Sequence, residues 1–173
     1  MFSEFIVKSA RSHQKFTVKN VDSIPKFIAF LRFDGILYLQ YEIGGASMYR
    51  IAMEKLLKWK ESKRRKPLII EGARQVGKTW LMKEFGKLYY TDTVYINFDS
   101  NSRMAELFAS DLDTERLIMG LELYSGRKID PDHTLLIFDE VQEVPRALSS
   151  LKYFYENTPE YHIVCAGSLL GIA

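Results

Sequence analysis

From Met48 onward the apolar positions fall into two alternating patterns. Ile51, Lys55, Leu56 and Trp59 share one side of a helical projection, which predicts an amphipathic helix over 48–62. Residues 67–71 form a short apolar, β-branched run suited to a strand covered on both faces. Leu81, Phe85 and Leu88 then recur at helical spacing with Met82 beside them, while Lys83, Glu84 and Lys87 lie outside. Residues 93–98 alternate as a second strand, and 102–110 and 114–125 read as helices, the latter stopped by Gly126. An apolar strand over 134–138 ends in Asp139 and Glu140. A helix over 146–157 halts before Pro159, and a last strand over 161–166 ends at Gly167 and Ser168. Strands alternating with helices predict an α/β fold with a parallel sheet and right-handed crossovers.

Residues 1–47 carry a weaker pattern. Ser23 and Pro25 suit the start of a short helix running to Phe33, Asp34-Gly35 is a turn signal, and 36–43 is rich enough in Ile, Leu and Tyr for a strand. His13 has no Cys, His or carboxylate at metal-ligand spacing and reads as a surface residue. We treat 1–47 as an N-terminal extension and 48–173 as the main domain.

Composition narrows the class. Of 173 residues, 47% are hydrophobic and 27% charged, the balance of an ordinary globular chain with one sizeable core. Cys165 is the single cysteine, which excludes an internal disulfide and fits a reducing compartment. Its apolar neighbours suggest a small buried hydrophobe rather than a nucleophile. No apolar run approaches the roughly 20 residues that span a bilayer, and the N-terminus lacks a secretory pattern, so a cytoplasmic location is expected. Net charge is +2, but 48–66 holds eight basic and two acidic residues. That run permits nucleic-acid contact; without interleaved aromatics or a binding motif, a solvated linker is favoured.

The chemistry lies in Gly72-Ala73-Arg74-Gln75-Val76-Gly77-Lys78-Thr79, which spells G-x-x-x-x-G-K-T, the Walker A phosphate-binding loop. Its glycines let the backbone turn so that N–H groups converge on phosphate oxygens. Lys78 supplies a point charge for the outer phosphates, and the Thr79 hydroxyl is placed to ligate Mg²⁺. The strand before and the helix after are the context this motif requires.

Asp139 and Glu140 supply the Walker B half. A carboxylate at the C-terminal tip of a neighbouring parallel strand faces the ligand crevice, so Asp139 is expected to hold Mg²⁺, usually through water, opposite Thr79. Glu140 is expected to orient the attacking water. Ser168, at the tip of the next strand, either contacts the γ-phosphate or water, or simply forms a turn. GTPases of the Ras type read guanine with Asn/Thr-Lys-x-Asp after the acidic strand. The Lys-x-Asp here, Lys128-Ile129-Asp130, precedes that strand and follows Arg127, which favours ATP.

Three segments in order, 72–79, Phe-Asp-Glu-Val-Gln-Glu at 138–143 and Ala-Gly-Ser-Leu-Leu-Gly at 166–171, resemble a prokaryotic AAA-type ATPase family whose members carry a C-terminal domain of unknown function. The resemblance runs from about Met48 to the last residue. It implies a P-loop NTPase core of strand order 5-1-4-3-2, with Lys78, Thr79, Asp139, Glu140 and Ser168 in the roles above; Arg74 and Gln142 also match the family spelling. Against that pattern the fifth strand, lid helices, arginine finger and C-terminal domain find no counterpart in 48–173, so a core incomplete at its C-terminus is expected. Residues 1–47 have none in the family, and Met48, preceded by Gly44-Gly45, is expected to be the natural start. Three readings stand at this point: an ATP-hydrolysing module, a nucleotide-binding switch with slow turnover, and a non-functional fragment. Without a fifth strand, the strand at 67–71 is left with an open edge that invites self-association, unless 36–43 covers it.

Overall fold

A computed structural model describes residues 5–8, 13–16, 36–38, 45–72 and 75–168. Two short strands, β1 (Phe5–Lys8) and β2 (His13–Phe16), pair antiparallel as a separate hairpin. The main sheet has five parallel strands in the order β3-β4-β7-β6-β5. These are β3 (Ile36–Tyr38), β4 (Leu68–Gly72), β5 (Asp92–Asn97), β6 (Thr134–Asp139) and β7 (His162–Ser168). Helices α1 (Gly45–Lys60), α2 (Lys78–Tyr89), α3 (Ser102–Ala109), α4 (Thr114–Ser125) and α5 (Pro145–Asn157) supply the crossovers and cover both faces.

The interior strand β6, between β5 and β7, is buried at every position, and its alternation divides the core in two. Leu136 and Phe138 face one cluster with Ile163, Cys165, Val94, Ile96 and residues of α3, α4 and α5. Leu135 and Ile137 face the other, with Val164, Ala166, Ile70 and residues of α1 and α2. Period-two alternation with apolar residues on both sides is what a strand between two helical layers requires. In the first cluster, Phe98, Phe108 and Phe138 meet edge to face with ring centroids 5.3–6.2 Å apart, a favoured aromatic geometry.

Strand order β4-β7-β6-β5 reproduces 1-4-3-2 of the expected core, confirming the α/β P-loop architecture. The slot beyond β4, where that order puts a fifth strand, is taken by β3, with Ile36 opposite Ile69 and Leu37 opposite Ile70. The edge expected to be open is therefore paired by a segment N-terminal to the core. Only 36–38 of the strand expected over 36–43, and none of the helix expected from Ser23 to Phe33, falls within the described residues. Helix α1 begins at Gly45, so Met48 lies inside its first turns.

Two helical faces differ from expectation. Among the described side chains of α1, Ala52, Met53 and Leu56 are buried, whereas Ile51 is 47% exposed. The buried face is thus displaced about one residue from the predicted one, toward Ala52 and Met53. On α2, Leu81, Met82, Phe85 and Gly86 are buried and Leu88 is 50% exposed. At 3.6 residues per turn, Leu88 lies roughly a quarter-turn from the centre of that face. Gly86 packs directly on β5: a Cβ there would collide with the Thr93 side chain.

Candidate nucleotide-binding site

The site is assembled at the C-terminal ends of β4, β6 and β7, where open parallel sheets bind ligands. Strand β4 ends at Gly72 and α2 begins at Lys78, leaving a tight connection between them. Gln75 and Gly77 both take positive φ, 63° and 84°, so the loop passes twice through left-handed backbone just before α2. No atom lies within 4 Å of a Cβ built on Gly77, so glycine is needed there for its backbone angle and not for space. Gly77 caps α2 with no side chain on the helix N-terminus, and the first turn carries no acidic residue. That end of the helix keeps its positive dipole exposed to the loop. Ala73 and Arg74 lie outside the described residues, and Val76 is half-buried.

Lys78 is 7% exposed, and its Nζ donates to the Gly72 carbonyl across the loop at 2.8 Å. A buried ammonium requires acceptors, and here the mouth of the loop itself supplies one. The next residue turns toward the acidic strand: the Thr79 hydroxyl donates to Asp139 Oδ2 at 2.6 Å. Asp139 is only 5% exposed, and its carboxylate collects further donors. The Tyr95 hydroxyl reaches the same Oδ2 at 2.9 Å, and the Glu140 amide reaches Oδ1 at 3.1 Å. Burial, followed by the Asp139 hydrogen bond and charge, pushes the Tyr95 phenol well above its ordinary range, so it stays a donor.

Glu140 follows with φ 51°, left-handed backbone that a non-glycine residue adopts at a cost. This turn takes the chain off β6 into a short 3₁₀ helix, Val141–Glu143, whose Val141 is fully buried. Gln142 Nε2 donates to Glu140 Oε2 at 2.6 Å, tying the carboxylate to the short helix that follows β6. Ser168 ends β7 directly opposite Gly72 in the ladder. The structure thus brings Gly72, Gly77, Lys78, Thr79 and Asp139 together, with Glu140 adjacent and the Ser168 backbone across from the loop. Tyr95 and Gln142 had no role in the sequence reading. Gln142 matched the family spelling, but the Tyr95 contact depends on the β5–β6 pairing, which no local motif announces.

Residues 64–173, well over half the chain, match the profile of the AAA domain family. The chain belongs to that family. AAA domains are nucleotide-binding domains of the ATPase type, which bind ATP and often oligomerise. The solved structure of PCH-2 from C. elegans is similar at 17% identity and a TM-score of 0.40, over 74% of this chain and 36% of that one. The AAA chain therefore spans about a third of that protein's length. No curated protein matches it.

The donor set suits a hard cation. Thr79 and Asp139 offer oxygens alone, and no group of three or more His, Cys, Asp or Glu residues placed to hold a metal occurs among the described residues. Mg²⁺ needs no such cage, since one or two protein oxygens suffice when phosphates and water complete its shell.

Other chemistry-bearing residues serve the fold. Cys165 is fully buried, and burial raises its thiol far above the usual range. In the basic run, Lys60 donates to the Tyr89 carbonyl, Arg65 donates to the Lys60 carbonyl at 2.8 Å, and Lys66 lies 5.1 Å from the Tyr155 ring centre. Part of that charge is thus committed within the molecule. Among the described residues no helix is long and apolar enough to cross a membrane.

Proposed function

We propose that this AAA domain binds ATP with Mg²⁺ at 72–79 and hydrolyses it slowly. The observation that carries the reading is the direct contact between Thr79 and Asp139, which joins the loop helix to the acidic strand at 2.6 Å. In this reading Lys78 exchanges its Gly72 carbonyl partner for phosphate oxygens, and the amides of the loop, Ala73 to Thr79, enclose the phosphates. The Thr79 hydroxyl gives its hydrogen to Asp139 and keeps its lone pairs for Mg²⁺, which Thr79 and Asp139 would hold between them. Bound Mg²⁺ neutralises charge on the phosphate oxygens.

Glu140 accepts a hydrogen bond from the attacking water and aims it at the γ-phosphorus. The new water O–P bond forms as the bond from γ-phosphorus to the bridging oxygen breaks. ADP and inorganic phosphate leave, and the water's proton passes to Glu140 or solvent. Ser168, whose backbone pairs opposite Gly72, is assigned in this reading to contact with the γ-phosphate or the water, the alternative being a turn-forming serine. The buried single cysteine fits a cytoplasmic setting.

A second reading, a nucleotide-binding switch with little turnover, is favoured by one contact: Gln142 already occupies a Glu140 oxygen. Single-turnover assays with labelled ATP and Mg²⁺ distinguish the two. The hydrolase reading expects slow phosphate release, well below about 1 per second, that Glu140→Gln abolishes without loss of binding. Binding with no phosphate release supports the switch, and absence of binding contradicts both.

A further inference from the structure

We propose that Tyr95 is a positioning residue for the Asp139 carboxylate and sets how much Mg²⁺ contributes to nucleotide affinity. The inference rests on the nucleotide-site reading and adds to it a residue outside both phosphate-site motifs.

Strand pairing places Asn97 opposite Asp139 and Tyr95 opposite Ile137, so Tyr95 stands diagonal to Asp139 on the same face of the sheet. That separation is within reach of a tyrosine ring. Its hydroxyl donates to Oδ2 at 2.9 Å, beside the Thr79 hydroxyl at 2.6 Å, and the Glu140 amide takes Oδ1 at 3.1 Å. Three donors from three segments fix both oxygens of a buried carboxylate. They are not equivalent. Thr79 belongs to the metal site itself, and the Glu140 amide is Asp139's own chain neighbour. Tyr95 is the side-chain anchor that belongs neither to the loop nor to the acidic pair.

The tyrosine is itself held. Lys83 Nζ lies 3.6 Å from its ring centre, close enough for a cation–π contact. Lys83 is four residues after Thr79 on α2, hence on the same helical face. One helix thus touches the carboxylate directly through Thr79 and grips, through Lys83, the ring that donates to it. Partners that orient a metal-holding carboxylate typically account for 10–100-fold in metal affinity.

The test is calorimetric titration of ATP, with Mg²⁺ and with EDTA, into wild type, Tyr95→Phe and Lys83→Met. Tyr95→Phe keeps the ring and removes the donor, so affinity in EDTA should match wild type while the gain from Mg²⁺ falls about tenfold. Lys83→Met should lower that gain by a smaller factor in the same direction. A wild-type gain in Tyr95→Phe overturns the inference and leaves the nucleotide site standing. If Tyr95→Phe does not melt cooperatively, Lys83→Met decides, and an unchanged gain there overturns the inference. Wild type that binds no ATP, or binds it equally in EDTA, overturns the site reading and this inference together.

Discussion

The Thr79 hydroxyl and the Asp139 carboxylate, sixty residues apart in the chain, meet at 2.6 Å. One residue opens a helix and the other closes a strand, so their meeting depends on α2 seating against β6. Gly86 packs α2 on Thr93 of the neighbouring β5, and the buried alternation of β6 fixes which face Asp139 takes. The pair should behave as a unit. Thr79→Val and Asp139→Asn are each expected to weaken ATP binding in Mg²⁺, and the double variant should be little worse than the poorer single. A coupling of about 1.5–3 kcal/mol is expected for a hydrogen bond to a charged group. Additive losses would show that the two act separately.

The β3–β4 pairing predicts a role for the N-terminal segment. A chain beginning at Gly45 keeps α1 whole but leaves the outer edge of β4 unpaired, with Ile69 and Ile70 along it. Its unfolding free energy should drop by about 1–3 kcal/mol, the range of a few lost backbone hydrogen bonds. The exposed edge should also promote self-association. Light scattering with thermal melts of both chains checks this, and a shortened chain as monomeric and stable as the full one would refute it.

How much of this was legible beforehand follows from the range of each signal. Helix α4 matches its expected span of 114–125, because Asp113 caps its start and Gly126 takes the left-handed angle at its end, both local devices. The loop and acidic pair were legible because phosphate chemistry imposes fixed spacings. The rotated face of α1 was not, since Lys55 and Trp59 fit a helical stripe as well as Ala52 and Met53 do. Nor was Tyr95, whose role arises only when β5 pairs with β6. The hairpin β1–β2 escaped because its second strand, with His13, Gln14 and Lys15, carries no apolar alternation to announce a partner for Phe5–Lys8.

Stability should depend on pH through His162. This residue is 5% exposed at the start of β7, shares a hydrogen bond of 2.5 Å with the Tyr90 hydroxyl and meets the Trp59 ring edge-on. Burial, with smaller contributions from the Arg65 and Lys60 charges, pulls its pKa down to about 4. An unfolded histidine takes its proton near pH 6.5, so between these values the unfolded chain binds more protons and stability rises with pH. His162 therefore contributes fully above about pH 6.5, and its contribution falls as the solution is acidified toward pH 4. The loss is on the order of 3 kcal/mol. Urea midpoints across this range should show it, and His162→Gln should flatten the profile there. An equal slope in both proteins would contradict the assignment.

Glu140 invites a substitution that separates folding from function. At φ 51° the position suits asparagine better than glutamate. Glu140→Asn should keep its melting temperature and its ATP affinity in Mg²⁺, yet lose phosphate release. A large fall in stability would indicate that the Gln142 contact at 2.6 Å, and not the backbone, governs this turn.

Calorimetric titration of ATP in Mg²⁺ into wild type and Lys78→Ala tests the nucleotide site most directly. Lys78 is buried with its ammonium across the mouth of the loop, and a charge-assisted phosphate contact contributes about 1.5–3 kcal/mol. The account predicts saturable one-to-one binding by wild type and at least a roughly tenfold loss in Lys78→Ala, with both proteins melting cooperatively. Equal affinity in the two, or no binding by folded wild type, would contradict it.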